Sequence, residues 1–137
     1  MASERKNKVL MCCLGPETHN RGILTVSSML REAGMEVVYL GNASPEDAIK
    51  AAIEEDVQIV GISSLSGAHV SLGGALMELA RKEGLRDSMV FLMGGVIPPK
   101  DIPRLIEMGF ADVLPSGATR NTIIESVDKA MAQASSC

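Results

Sequence analysis

Five short apolar runs, KVLMCCL at 8–14, EVVYL at 36–40, VQIVGI at 57–62, SMVFLM at 88–93 and ADVL at 111–114, alternate along the chain with segments of helical spacing. Runs this continuous in Val, Ile and Leu leave no face for water, so the strands are expected to be buried on both sides. A sheet covered on both faces is a parallel one with helices above and below. The intervening segments supply those helices. Ile23–Ala33 reads as a helix that stops at Gly34, and His69–Lys82 as another. SPEDAIKAAIEE opens with Ser44 as N-cap, Pro45 at the first helical position and acidic residues in the first turn. PPKDIPRLIEMG is entered through prolines and ends at Gly109, and Asn121–Ala134 closes the chain.

No linker, repeat or low-complexity stretch interrupts this alternation. At 137 residues, 46% of them hydrophobic, the expectation is a single α/β domain over 1–137 with a polar lead at 1–7. Right-handed crossovers leave few topologies for five β-α units, and the flavodoxin-like order 2-1-3-4-5 is the one expected. In such open sheets ligands bind outside the carboxyl ends of the strands. Four loops gather there: GPETHNRG at 15–22, SSLSGAH at 63–69, GGVIPP at 94–99 and PSGAT at 115–119. All are rich in Gly, Ser, Thr or Pro. The opposite edge carries EAGME, EEDVQ and RDS, which is plain charged turn material.

Composition removes several functions from that edge. A net charge of −4 without a basic cluster argues against nucleic acid, whose phosphates need clustered Lys and Arg. With no Trp, one Tyr and two Phe, a site that grips a ring by aromatic stacking is hard to build. A flavodoxin would need those aromatics and a Ser/Thr-rich phosphate loop, whereas GPETHNRG has one Thr. A receiver domain would need an acidic pair after the first strand and an aspartate ending the third; the chain offers a lone Glu17 and Ser63. No glycine pattern matches the dinucleotide fingerprint or the P-loop. Cys13 or Ser63 could approach a histidine base, but no nucleophile-elbow motif surrounds either. Three cysteines, Cys12, Cys13 and Cys137, without a second spaced pair do not make a zinc site and fit a reducing compartment. No apolar run reaches the roughly 20 residues of a membrane span, and MASERKNK does not resemble a signal peptide, so a cytoplasmic location away from membranes is expected.

One of the chain's two histidines, His19, follows Glu17 in the loop after the first strand. Neutral imidazole is a good transition-metal ligand, and a carboxylate on its second ring nitrogen fixes its tautomer and raises its basicity. One histidine cannot hold a bare ion, yet it can be the axial ligand of a metal already held by a macrocycle. Taken alone, the same three residues also describe an ordinary surface loop. His69 reads as a surface residue at a helix start.

Three motifs in order resemble the cobalamin-binding domain of adenosylcobalamin-dependent mutases. That family carries D-x-H-x-x-G after the first strand, S-x-L at the end of the third and G-G after the fourth. The corresponding residues are Glu17-Thr18-His19-Asn20-Arg21-Gly22, Ser63-Ser64-Leu65 and Gly94-Gly95. The similarity runs from about Lys8 to the closing helix and is greatest to the small subunit or C-terminal domain of acyl-CoA mutases of the methylmalonyl-CoA mutase kind. It implies that His19 binds cobalt from below in place of the cofactor's own dimethylbenzimidazole, with Glu17 accepting the other ring N–H. Ser63 would bond the nitrogen of the displaced tail. Leu65, Gly94 and Gly95 would line the slot that takes this tail, with Ser116 and Gly117 near its end. Departures are a glutamate for the family's aspartate at Glu17, Thr18 for a glycine, Asn20 for an aspartate, and Cys13 where many relatives place a lysine.

The resemblance further implies adenosylcobalamin as cofactor and radical carbon-skeleton rearrangement as the chemistry. A domain this small covers one face of a corrin, so the implied partner is a large TIM-barrel subunit that binds the acyl-CoA, and the isolated chain would be silent. A corrinoid methyl carrier and a non-catalytic cobalamin-binding sensor are the alternatives.

Overall fold

The computed structural model describes residues 8–14, 21–63, 69–85, 88–95, 97–115 and 118–135. β1 (Lys8–Leu14) is buried along all but its first residue, as its unbroken apolar run requires. It sits second from one edge of a five-stranded, all-parallel sheet in the order β2-β1-β3-β4-β5, with β2 (Glu36–Ala43), β3 (Ile59–Ser63), β4 (Val90–Gly95) and β5 (Asp112–Pro115). The helices are α1 (Arg21–Glu32), α2 (Pro45–Glu55), α3 (His69–Lys82), α4 (Ile102–Met108) and α5 (Arg120–Ser135). The flavodoxin-like topology expected from the sequence is the one observed.

Successive strand residues point to opposite faces, which divides the core in two. Leu10 and Cys12 of β1, Val60 and Ile62 of β3, and Phe91 and Met93 of β4 pack with Ala48 of α2, Leu76 of α3 and Leu105 of α4. Val9, Met11 and Cys13 of β1, Ile59 of β3, and Val90 and Leu92 of β4 pack with Leu30 of α1 and Val127 of α5. Helix α5 is also tied by a polar link, the Ser126 hydroxyl donating to Asp112 Oδ2 over 2.8 Å. Ser44 caps α2 as its sequence foretells, its Oγ accepting from the Asp47 N–H at 3.1 Å.

Element boundaries shift where backbone geometry overrides the apolar pattern. Asp56 adopts a left-handed conformation (φ 52°) that ends α2, and the Val57 N–H turns back to Ala52 O, so β3 begins at Ile59 rather than Val57. β2 runs past Leu40 because Gly41, at φ 84°, absorbs the register shift opposite Met11 and Cys12. β4 extends through Gly94 and Gly95, which pair with Leu114 and Pro115, so the two glycines are ladder residues and not a turn. At the amino edge Lys8 bridges Glu55 at 2.9 Å and Glu36 at 3.5 Å; the Glu55 hydrogen bond, then the charges of both carboxylates, hold its ammonium pKa above the ordinary value. No helix of the described residues is long and apolar enough to cross a membrane.

The adjacent cysteines face opposite cores, so they cannot pair with each other, and both are buried outside any disulfide. Burial, reinforced by Cys13, pushes the Cys12 thiol from 9.0 up to about 12. The unfolded chain therefore ionises Cys12 first: the stability tied to its neutral thiol is complete below pH 9.0 and is lost as pH rises toward about 12. Iodoacetamide at pH 9.0, where the unburied thiol is half ionised, is expected to leave Cys12 unmodified in native protein and to alkylate it in denaturant. Peptide mass spectrometry reads the outcome, and rapid native alkylation would contradict this burial.

Candidate functional site

Parallel pairing stacks the side chains that face α1 and α5 into three rungs: Val9, Ile59 and Val90 toward the amino edge, Met11, Gly61 and Leu92 next, then Cys13, Ser63 and Gly94 at the carboxyl edge. At about 3.3 Å per residue, the outer rungs lie ~13 Å apart. Two of these positions carry no side chain. A Cβ at Gly61 would stand 2.5 Å from Met11 Sδ, so the Met11 side chain lies over the space that glycine leaves. A Cβ on Gly94 would stand 3.4 Å from the Leu114 carbonyl oxygen.

Across from these glycines, Val26 and Leu30 of α1 and Ile123 and Val127 of α5 form a second wall, and a cavity of about 500 Å³ opens between helices and sheet. Among its described lining residues none is charged, and Ser63 and Thr25 supply the polar side chains. Arg120 and Glu32, 2.7 Å apart, join α5 to α1 on the outside.

Of the residues singled out in the sequence, Gly22, Ser63, Gly94 and Gly95 meet in this cavity. Arg21 opens α1. Glu17, Thr18, His19, Asn20, Leu65, Ser116 and Gly117 lie outside the described residues. The interior of the cavity escaped the sequence reading, which attended to strand-end loops. Its signal was present all the same: Gly61 interrupts a β-branched strand, and a glycine inside a buried strand marks close approach of another group.

The chain matches the B12 binding domain over residues 7–124. It belongs to that family. Two relatives put this B12-binding domain in context. It is 34% identical over 121 residues to the 2-hydroxyisobutanoyl-CoA mutase small subunit of Aquincola tertiaricarbonis, covering 88% of each chain. It is 37% identical over 127 residues to the pivalyl-CoA mutase small subunit of Xanthobacter autotrophicus, covering 92% of this chain and 84% of that one. A solved cobalamin-binding protein from Desulfitobacterium hafniense superposes with a TM-score of 0.79 at 20% identity, over 93% of this chain and 60% of that chain, which speaks to the fold alone.

The cavity of this B12-binding domain suits the nucleotide tail of such a cofactor. Its volume falls in the ~300–1,000 Å³ range of small-molecule sites. Its inner walls are aliphatic and thioether, suited to a flat aromatic base, while Ser63 stands at the carboxyl-edge rung. Gly94 lets a ring lie close to the sheet at the carboxyl edge, while the space left by Gly61 is taken by the flexible Met11 side chain.

Proposed function

We propose that this chain is the cobalamin-carrying small subunit of an adenosylcobalamin-dependent acyl-CoA mutase, working in the cytoplasm with a large TIM-barrel subunit that binds the acyl-CoA. The observation that carries the proposal is the apolar cavity between the sheet and α1/α5, walled by glycines in β3 and β4 and bordered by Ser63 at the carboxyl edge. The bound cofactor supplies homolysis of its cobalt–carbon bond and hence the radical chemistry. The chain's own residues hold and orient it. His19 would ligate the cobalt, and Glu17 would accept the second ring N–H and so fix the imidazole tautomer. The Ser63 hydroxyl donates to the base nitrogen freed from cobalt, and Gly94 and Gly95 keep the mouth clear for the tail, with Leu65, Ser116 and Gly117 completing the slot. Thr18, Asn20, Arg21 and Gly22, from the same motif, would contribute to cofactor binding.

The near full-length correspondence to two mutase small subunits favours this function over a methyl carrier or a sensor. Both relatives are named for branched acyl-CoA substrates, which supports a branched acyl-CoA here. The test combines this chain, its large-subunit partner and adenosylcobalamin with methylmalonyl-CoA, 2-hydroxyisobutyryl-CoA or pivalyl-CoA. Isomerisation of one of them is expected only when both subunits are present. Cobalamin binding with no isomerisation, but with methyl transfer from methylcobalamin to a thiol, would install the carrier instead.

A further inference from the structure

Among the described residues no strand lies beyond β2, so one side of its backbone faces out of the sheet. The neighbouring strand fixes which groups those are. Lys8 O accepts from the Gln58 N–H at 3.0 Å, and the Lys8 N–H donates to Gln58 Oε1 at 2.8 Å, so the backbone groups of Lys8 face β3. Those of Val9 and Met11, alternating with them, face β2. In a parallel ladder such a residue bonds the two residues flanking its partner. Val9 is paired with Val37 and Met11 with Tyr39, which leaves the backbone groups of Val37 and Tyr39 pointing outward.

This edge is apolar as well as open. Val37, Val38 and Tyr39 are half-buried and Leu40 is 38% exposed, a β-branched and aromatic run that suits pairing with another strand. One side chain stands on it. Arg31, in the last turn of α1, donates from Nη2 to Val37 O at 3.4 Å. A charged side chain on an edge strand is a means of refusing a further strand.

We propose that Arg31 guards β2 against a second copy of this chain. A second copy is the occupant because the edge complements itself. Antiparallel pairing about a two-fold axis at Val38 sets Val37 opposite Tyr39 of the other copy, so the outward-facing residues exchange hydrogen bonds. Val38 then meets Val38, and Glu36 meets Leu40, with no like charges opposed. The pairing needs the Val37 carbonyl of each copy, the atom on which Arg31 sits. The register shift before Cys12, with Gly41 at φ 84°, ends the pairable stretch.

Sedimentation velocity over a dilution series compares the full chain with Arg31→Ala, and urea unfolding checks that the variant keeps its fold. The parent is expected to sediment as one copy. Arg31→Ala is expected to dimerise at least about tenfold more tightly, because each copy regains a carbonyl for the pairing. In that dimer the Val37 and Tyr39 amides should gain protection from hydrogen exchange. Adding Leu40→Glu, which opposes Glu36 of the other copy, should return Arg31→Ala to one copy. A parent that already dimerises through β2, or an Arg31→Ala chain that stays as one copy, overturns the guard. A dimer whose Val37 and Tyr39 amides exchange as in the parent overturns β2 as the surface, and one that survives Leu40→Glu overturns the register.

Discussion

Replacing His19 with alanine is expected to cut mutase turnover of the reconstituted two-subunit enzyme by more than ~100-fold. Loss of a partner one bond removed from a metal already costs about 10- to 100-fold, and the proposed function puts His19 at the metal itself. Glu17→Ala, which on the same proposal would leave the imidazole present but unoriented, should fall within that smaller range. The order of the two effects is the informative quantity, since a loop that merely shaped the surface would give no such ranking. Added imidazole should restore part of the His19→Ala activity, and circular dichroism of both variants should superimpose on that of the parent. Parental turnover in His19→Ala would remove the histidine from the site.

The largest stability effect is expected at Phe91. It is 1% exposed at the centre of the core shared by α2, α3 and α4, in a chain with two phenylalanines and no tryptophan to share the load. The packing around it has little slack. On the neighbouring α3, a Cβ at Gly73 would come within 3.1 Å of Met93 Cε and 3.3 Å of Phe110 Cε2. Phe91→Ala should therefore leave a cavity that does not collapse, destabilising the protein by about 3–5 kcal/mol. That is a large part of the ~5–15 kcal/mol holding a typical domain together. Ile53→Ala serves as the comparison: with Ile53 46% exposed on α2, its effect should stay near ~0.5 kcal/mol. Urea unfolding followed by circular dichroism separates the two. A loss below about 1 kcal/mol at Phe91 would contradict the packing described.

Much of the architecture was legible in the sequence because the strands are buried on both faces. KVLMCCL and His69–Lys82 coincide with an observed strand and helix residue for residue, and the capped start of SPEDAIKAAIEE is an observed cap. Two of the boundaries that moved, the start of β3 and the end of β2, did so at backbone features that hydropathy does not encode, the left-handed Asp56 and the bulge at Gly41. The site was legible differently. Ser63, Gly94 and Gly95 were placed by motif and topology together, and they do line one cavity with Gly22. What stayed hidden was the far wall. Val26, Leu30, Ile123 and Val127 are spaced as any helix core residues would be, and only the pairing of strands brings Gly61 opposite them. A missing side chain becomes a site only once its neighbours in space are known.

The most direct test of the central claim asks which nitrogen holds the cobalt. The chain is grown with nitrogen-15 histidine, loaded with unlabelled cobalamin, reduced to the cob(II) state and studied by electron paramagnetic resonance. Ligation by His19 predicts a two-line splitting from the nitrogen-15 nucleus. A three-line pattern would mean that the cofactor's own nitrogen-14 base remains on the metal, and would contradict both the role given to His19 and the entry of the tail into the cavity.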